Sequence, residues 1–240
     1  MVEIHKADFA VLPGMHVVLN VFKRIQPFYW VFVCYFLLFS NTYADVANHQ
    51  FKYPFYLGVT GGYGWTTWQG LVPEGKKKNF AMAMSTPKNV TENGGLWGLF
   101  AGYEFLPSFA LEVVYLRYPN AKIEFDLDSI FSFEHDDLTI FTTRTETIGL
   151  MGKIMMTIPC SDIRVYSSFG YSEVHRSDAV KDNWVGSPSF GAGLNYNFTP
   201  HIMGELGGIY TAGKGESELS PAEDYFPFMY AVFLRLAYRF

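Results

Sequence analysis

From residue 228 to residue 240 the chain alternates without a break. Phe228, Tyr230, Val232, Leu234, Leu236, Tyr238 and Phe240 fall in one row; Met229, Ala231, Phe233, Arg235, Ala237 and Arg239 fall in the other. Period two predicts a strand with two unlike faces. One face is apolar or aromatic and the other carries two arginines. A segment of about 9 to 11 residues is long enough to cross a bilayer as a tilted strand. Such a strand would turn Phe and Leu to lipid and Arg to a sheltered interior.

The same alternation recurs seven times upstream. Strands are predicted over about 55–66, 96–105, 109–118, 143–157, 163–174, 188–198 and 202–211. In the first, Phe55, Leu57, Val59, Gly61, Tyr63 and Trp65 face out, while the other row is mostly Gly and Thr. Small inward residues leave room for long charged side chains arriving from other strands. Connections alternate between short turns, at 106–108, 159–162 and 199–201, and long polar segments, at 67–95, 119–142, 175–187 and 212–227. Within 119–142, strand extensions are considered around 122–125 and 138–141. The prediction is all-β: an eight-stranded antiparallel transmembrane barrel with up-and-down topology, short periplasmic turns and long extracellular loops. An open sheet edge is not tolerated in lipid, so the eighth strand must pair with the first. A soluble β-sandwich or lipocalin-like barrel would alternate too. Its polar rows would face water, whereas here they are mostly Gly, Ala, Ser, Thr and Asn with charges at intervals.

Composition supports the lipid-facing reading. The chain is 49% hydrophobic and 18% aromatic, and its 17% charged residues fall short of the roughly 25% of soluble domains. Trp65, Trp97, Phe105, Tyr196, Phe198, Tyr238 and Phe240 stand near strand ends, where interfacial girdles form. Arg117, on an outer row near a strand end, is expected to snorkel to headgroups.

The one continuous apolar block, Pro27 to Phe39, follows Lys23 and Arg24 and ends in Ser40-Asn41-Thr42-Tyr43-Ala44. That order is the layout of a secretory signal. Residues 1–44 are therefore expected to be a signal peptide and 45–240 the barrel domain, with Met15 as an alternative start and Ala47 an alternative cleavage point. Removing the signal takes Lys6, Lys23 and Arg24 against Glu3 and Asp8, so the mature chain is more acidic than the net −5 of the whole. Nucleic acid is an unfavourable partner for such a chain. Cys34 leaves with the signal and Cys160 remains without a partner.

The inner rows supply Glu104, Glu112, Lys153, Arg164, Glu205, Arg235 and Arg239. Buried charges without partners are costly, so these seven are expected to form a luminal charge network. Glu205 is expected to reach Arg235 between neighbouring strands, and Glu104 or Glu112 to meet Arg239 or Arg164. An eight-stranded wall is barely wide enough for such side chains. A plugged barrel is the first expectation and a narrow channel for ions or small solutes the alternative.

Other chemistry is less well supported. Glu124, Asp126, Asp128, Glu134, His135, Asp136 and Asp137 crowd the second long connection, but their spacing matches no twelve-residue calcium loop. They read as a hydrated acidic loop, and no metal or cofactor is expected. Lys76, Lys77 and Lys78 are candidates for lipopolysaccharide headgroups, and Trp68, Phe131 and Tyr225 for adhesion. His175, Ser177 and Asp178 share one connection while His201 lies at the opposite end, which does not make a catalytic triad. The chain is not expected to be an enzyme.

Several of these segments carry a resemblance. The run Tyr53 to Trp65, the run Gly98-Leu-Phe-Ala-Gly-Tyr-Glu-Phe105, Phe109 to Tyr115 and the last strand ending in Phe240 resemble the small OmpA-like and OmpX-like outer-membrane β-barrels. The resemblance spans the mature chain. It implies a bacterial outer-membrane location with both mature termini periplasmic, and a role in adhesion or envelope integrity. It also implies a C-terminal signal in Leu236, Tyr238 and Phe240 read by the barrel assembly machinery. Partners implied are outer-membrane lipid and lipopolysaccharide, with a host or envelope surface ligand, for a monomer without a periplasmic peptidoglycan-binding domain.

Overall fold

The computed structural model describes residues 53–68, 87–134, 136–179, 181–214 and 225–240. The expected signal segment, the Lys76–Lys78 run and His135 lie outside them. Among the described residues ten strands and one short helix follow in order: β1 (Phe55–Thr66), β2 (Asn89–Thr91), β3 (Asn93–Leu106), β4 (Phe109–Arg117), β5 (Ala121–Glu124), α1 (Ile130–Glu134), β6 (Ile140–Thr157), β7 (Ile163–Ser177), β8 (Asp182–Asn197), β9 (Ile202–Thr211) and β10 (Met229–Arg239).

Eight of the strands close into a barrel in the order β6-β4-β3-β1-β10-β9-β8-β7, and the β6–β7 pairing completes the circle. All the pairings are antiparallel, including β1 with β10, where Tyr56 lies opposite Arg239 and Thr66 opposite Met229. No strand edge in the closed wall is left for lipid to desolvate. Residue parity divides the wall cleanly. On β10 the even residues Val232, Leu234, Leu236 and Tyr238 are exposed, while Met229, Ala231, Phe233, Arg235, Ala237 and Arg239 are buried.

Aromatic side chains gather on the outer wall at two levels. At the turn end, Tyr238 packs against Phe240 (5.1 Å), Phe240 against Phe55 (5.7 Å), Tyr103 against Phe105 (4.9 Å) and Tyr196 against Phe198 (5.0 Å). At the loop end, Trp65 stacks on Tyr230 (5.8 Å), Tyr230 meets Tyr210 (5.1 Å), and Trp97 meets Tyr115 (5.8 Å). Tyr230 and Tyr238 are eight residues apart on β10, about 20 Å across a membrane at the usual strand tilt. That is close to the height of an outer-membrane apolar band. Arg117 does not stand alone at this level: its guanidinium lies 3.7 Å from Glu146 on β6, which Arg144 also contacts.

The wall is thin where the lumen is full. A side chain at Gly102 would overlap the Tyr56 ring, and one at Gly207 would overlap the Tyr166 hydroxyl, so both positions must stay bare for those phenols to lie across the interior.

The connections depart from expectation in two places. The stretch 175–187 is not a loop: β7 continues to Ser177, β8 starts at Asp182, and the Asp178 amide donates to the Lys181 carbonyl at 2.8 Å between them. This hairpin rises beyond the lipid level, where an outer row of Glu173, His175 and Asp182 has no reason to be apolar. The 119–142 segment, by contrast, carries the strand extensions considered around 122–125 and 138–141: β5 pairs with Ile140–Thr143 of β6. The second departure is in 67–95, where β5 finds a further partner in β2. β2 lies within the first long connection, and β3 begins three residues before its expected start. Cys160 sits exposed in the β6–β7 turn at φ 60°.

Candidate functional site: the luminal charge network

One row of side chains crosses four strands. Strand register puts Arg164 of β7 opposite Asn195 of β8, Asn195 opposite Glu205 of β9, and Glu205 opposite Arg235 of β10. Lys153 of β6 and Glu112 of β4 reach the same level from the other wall. All seven inner-row charges are buried.

The charges form two clusters. Toward the middle of the barrel, the Lys153 ammonium lies 2.9 Å from Glu112 and also contacts Glu205. Arg235 lies 3.2 Å from Glu112 and 3.5 Å from Glu205. Tyr56 donates its hydroxyl to Glu112 at 2.7 Å. Nearer the turn end, one carboxylate serves two guanidiniums. Arg164 Nη2 is 3.0 Å from Glu104 Oε1, and Arg239 Nη1 donates to Glu104 Oε2 at 3.0 Å.

Asn195 joins the two clusters. Its amide nitrogen donates to Glu205 at 2.7 Å, and its amide oxygen accepts from Arg164 Nη2 at 2.8 Å. A neutral amide is suited to this place because it presents a donor to the acid and an acceptor to the base. Sequence reading passed over Asn195 because it carries no charge. Its opposition to Arg164 and Glu205 appears only once the register is known.

Aromatic faces take up the cationic side. Lys153 lies 4.1 Å from the centre of the Tyr166 ring; Arg235 lies 4.2 Å from that of Phe233 and 4.8 Å from that of Phe100. Four bases against three acids leave one positive charge in excess, and ring quadrupoles are a compensating partner for it. Toward the loop end the interior changes character. Ser172, Ser189 and Thr211 form a hydroxyl chain with links of 2.7 and 2.8 Å. Beyond it Leu96, Leu116, Tyr118, Val174, Phe226 and Met229 are buried together.

The loop end carries its own packed cap. Trp68 and Tyr225 meet edge to face at 5.0 Å and are buried with Ala121, Ile123, Phe125 and Phe141. Arg176 lies over the Trp68 ring at 4.9 Å and donates to the Tyr225 carbonyl at 2.6 Å. Burial pushes the Tyr225 phenol pKa up. Trp68 and Tyr225 are therefore interior residues, which corrects their expected place on an adhesive surface. Their flanking polar residues hid a packing role that only the paired extensions β2, β5 and β6 create.

The remaining candidates separate. His175 stacks on Trp184 at 4.4 Å and lies 2.7 Å from Asp182, while Asp178 is buried beside Arg176. His201 stacks on Tyr238 at the opposite end. In the acidic segment Asp126 pairs with Lys88 at 3.0 Å and Glu124 accepts from Asn89. Among the described residues no three His, Cys, Asp or Glu side chains gather where they would hold a metal ion. Leu236, Tyr238 and Phe240 lie on the outer wall at the turn end, exposed.

A closed antiparallel cylinder with aromatic belts outside and ionised groups inside is a membrane-spanning β-barrel. The chain belongs to the outer membrane protein beta-barrel domain family, whose profile matches residues 32–240. The family places it in the bacterial outer membrane. Among solved structures it is similar to AlkL, an outer membrane protein determined in lipid bilayers, at 13% identity and TM-score 0.49, covering 78% of this chain and 90% of that one. It is similar at 13% identity and TM-score 0.46 to Neisserial surface protein A, covering 78% and 97%. Ail of Yersinia pestis, solved with a heparin analogue, matches at 13% identity and TM-score 0.39, covering 78% and 99%. No match was found among curated proteins.

Proposed function

We propose that the protein is a sealed outer-membrane barrel with a structural or surface-interacting role, not a pore. The observation that carries this reading is the linked cluster of Glu104, Glu112, Lys153, Arg164, Asn195, Glu205, Arg235 and Arg239 lying across the lumen. To admit a solute, several buried ion pairs would have to open together, and each costs kilocalories to break. Phe100, Phe233, Tyr56 and Tyr166 fill the space beside them.

On this reading the turn end is periplasmic, both mature termini lie there, and the first 44 residues are removed on export. The exposed terminal strand, with Leu236, Tyr238 and Phe240, serves the barrel assembly machinery during insertion. The barrel acts as a monomer in outer-membrane lipid and lipopolysaccharide, and the paired extensions at the loop end meet partners outside the cell. The acidic, aromatic-belted chain has no catalytic role in this account.

Planar-bilayer recording of the mature protein tests the reading. Silence under an applied voltage is expected; large, stable conductance steps would contradict it.

A further inference from the structure

Helix α1 and the turn that leads into it expose apolar side chains and bury serines. Ile130 and Phe133, three apart on α1, and Leu127, in the turn that precedes it, are all exposed, Phe133 at 87%. Ser129, just before the helix, and Ser132, within it, are fully buried. Ser129 caps the helix by accepting from the Ser132 amide at 3.1 Å, and the Ser132 hydroxyl is buried without a hydrogen-bond partner. Ordinary packing would turn the leucine, isoleucine and phenylalanine inward and the serines out. An ordered element that does the reverse exposes an apolar patch, and such patches mark binding surfaces.

The element is firmly mounted. β5 pairs with β6 on one side and β2 on the other, and Ile123, Phe125 and Phe141 anchor it in the loop-end cap. Its charge is one-sided: residues 119–142 carry Lys122 against Glu124, Asp126, Asp128, Glu134, Asp136 and Asp137. Asp126 is offset by Lys88, whereas Asp128, Asp136 and Asp137 are exposed at either end of the helix. An apolar centre rimmed by carboxylates repels phosphate-bearing lipid and favours a cationic protein surface.

We propose that α1 with its flanking aspartates is a docking surface for a basic amphipathic protein segment, one that offers apolar side chains to Leu127, Ile130 and Phe133 and lysine or arginine to Asp128, Asp136 and Asp137. The inference rests on the surface-interacting reading above and gives it a site and a partner chemistry.

The test uses the mature protein in zwitterionic nanodiscs and a fluorescent lysine–leucine helical peptide of about 14 residues. Binding is measured against the same peptide with glutamate in place of lysine, and against one with lysine retained and leucine replaced by serine. Binding of the lysine–leucine peptide alone is expected, weakening as salt rises from about 50 to about 500 mM. Ile130→Ser with Phe133→Ser should weaken it at least about tenfold, and Asp128→Asn with Asp136→Asn and Asp137→Asn by a similar factor with most of the salt dependence lost. A thermal melt shows that each variant is folded. Equal binding by wild type and both variants would overturn the proposal. So would binding that appears only after deletion of residues 69–86, which would make the chain's own segment the occupant, or self-association abolished by the same substitutions, which would make it a second copy. Absence of peptide binding by the unsubstituted protein in a barrel that stays electrically silent refutes the docking surface alone, whereas conductance refutes the reading beneath it.

Discussion

Arg235 shows most directly what a single side chain does in this wall. It stands on the row that also carries Ala231, Phe233 and Ala237, and it meets both Glu112 and Glu205 while lying against two phenylalanine rings. Arg235→Met fills a similar volume but leaves two carboxylates to share Lys153. Breaking one side of a buried pair costs about 3–5 kcal/mol, far more than the pair contributes over an apolar replacement. The folded barrel of this variant should therefore lose its heat-resistant gel mobility at a clearly lower temperature than the wild type; an unchanged transition would contradict the network. The identity of the charged residues was legible in the sequence, because a charge in the row opposite Phe and Leu has to face inward. Their partners were only partly legible. Glu205 and Arg235 are cross-strand neighbours, but Lys153 reaches Glu205 across the lumen, and that contact depends on the curvature of the wall.

Strands that touch lipid announced themselves, whereas above the lipid β2 and the tips of β7 and β8 were missed and the extensions near 122–125 and 138–141 stood only as one alternative. Period two with an apolar row marks β1, β4 and β10 almost to the residue, since lipid permits no polar interruption on the outer face. Above the membrane that constraint lapses. The tips of β7 and β8 put Glu173, His175 and Asp182 on the outside and Arg176 inside, a composition indistinguishable from a loop until pairing is known. Trp68 and Tyr225 were misplaced for the same reason, since they are covered by elements far away in sequence. This cap is separate from the charge layers. Trp68→Ala removes the ring that Arg176 and Tyr225 pack against, a loss worth about 3–5 kcal/mol where the surroundings cannot collapse. The expected outcome is faster protease nicking at the loop end of the folded protein with little change in barrel melting. A fall in melting as large as that of Arg235→Met would show that cap and charge network unfold as one unit.

At the scale of the whole molecule, the barrel reverses the arrangement of a soluble domain. Its exposed surface is Leu57, Val59, Leu99, Leu150, Leu194, Leu206, Leu234 and Leu236, and its buried interior holds lysine, arginine and glutamate. Closure makes this workable: every strand in the wall has two neighbours, so the backbone is satisfied without water, and the same circle brings seven charges within reach of one another. The central claim is that lipid touches the Leu-bearing side of the wall. Spin labels at positions 234 and 236, read by accessibility to oxygen and to a water-soluble nickel complex in reconstituted bilayers, test it most directly. Both labels should be open to oxygen and closed to nickel; both reporting bulk water would contradict the account.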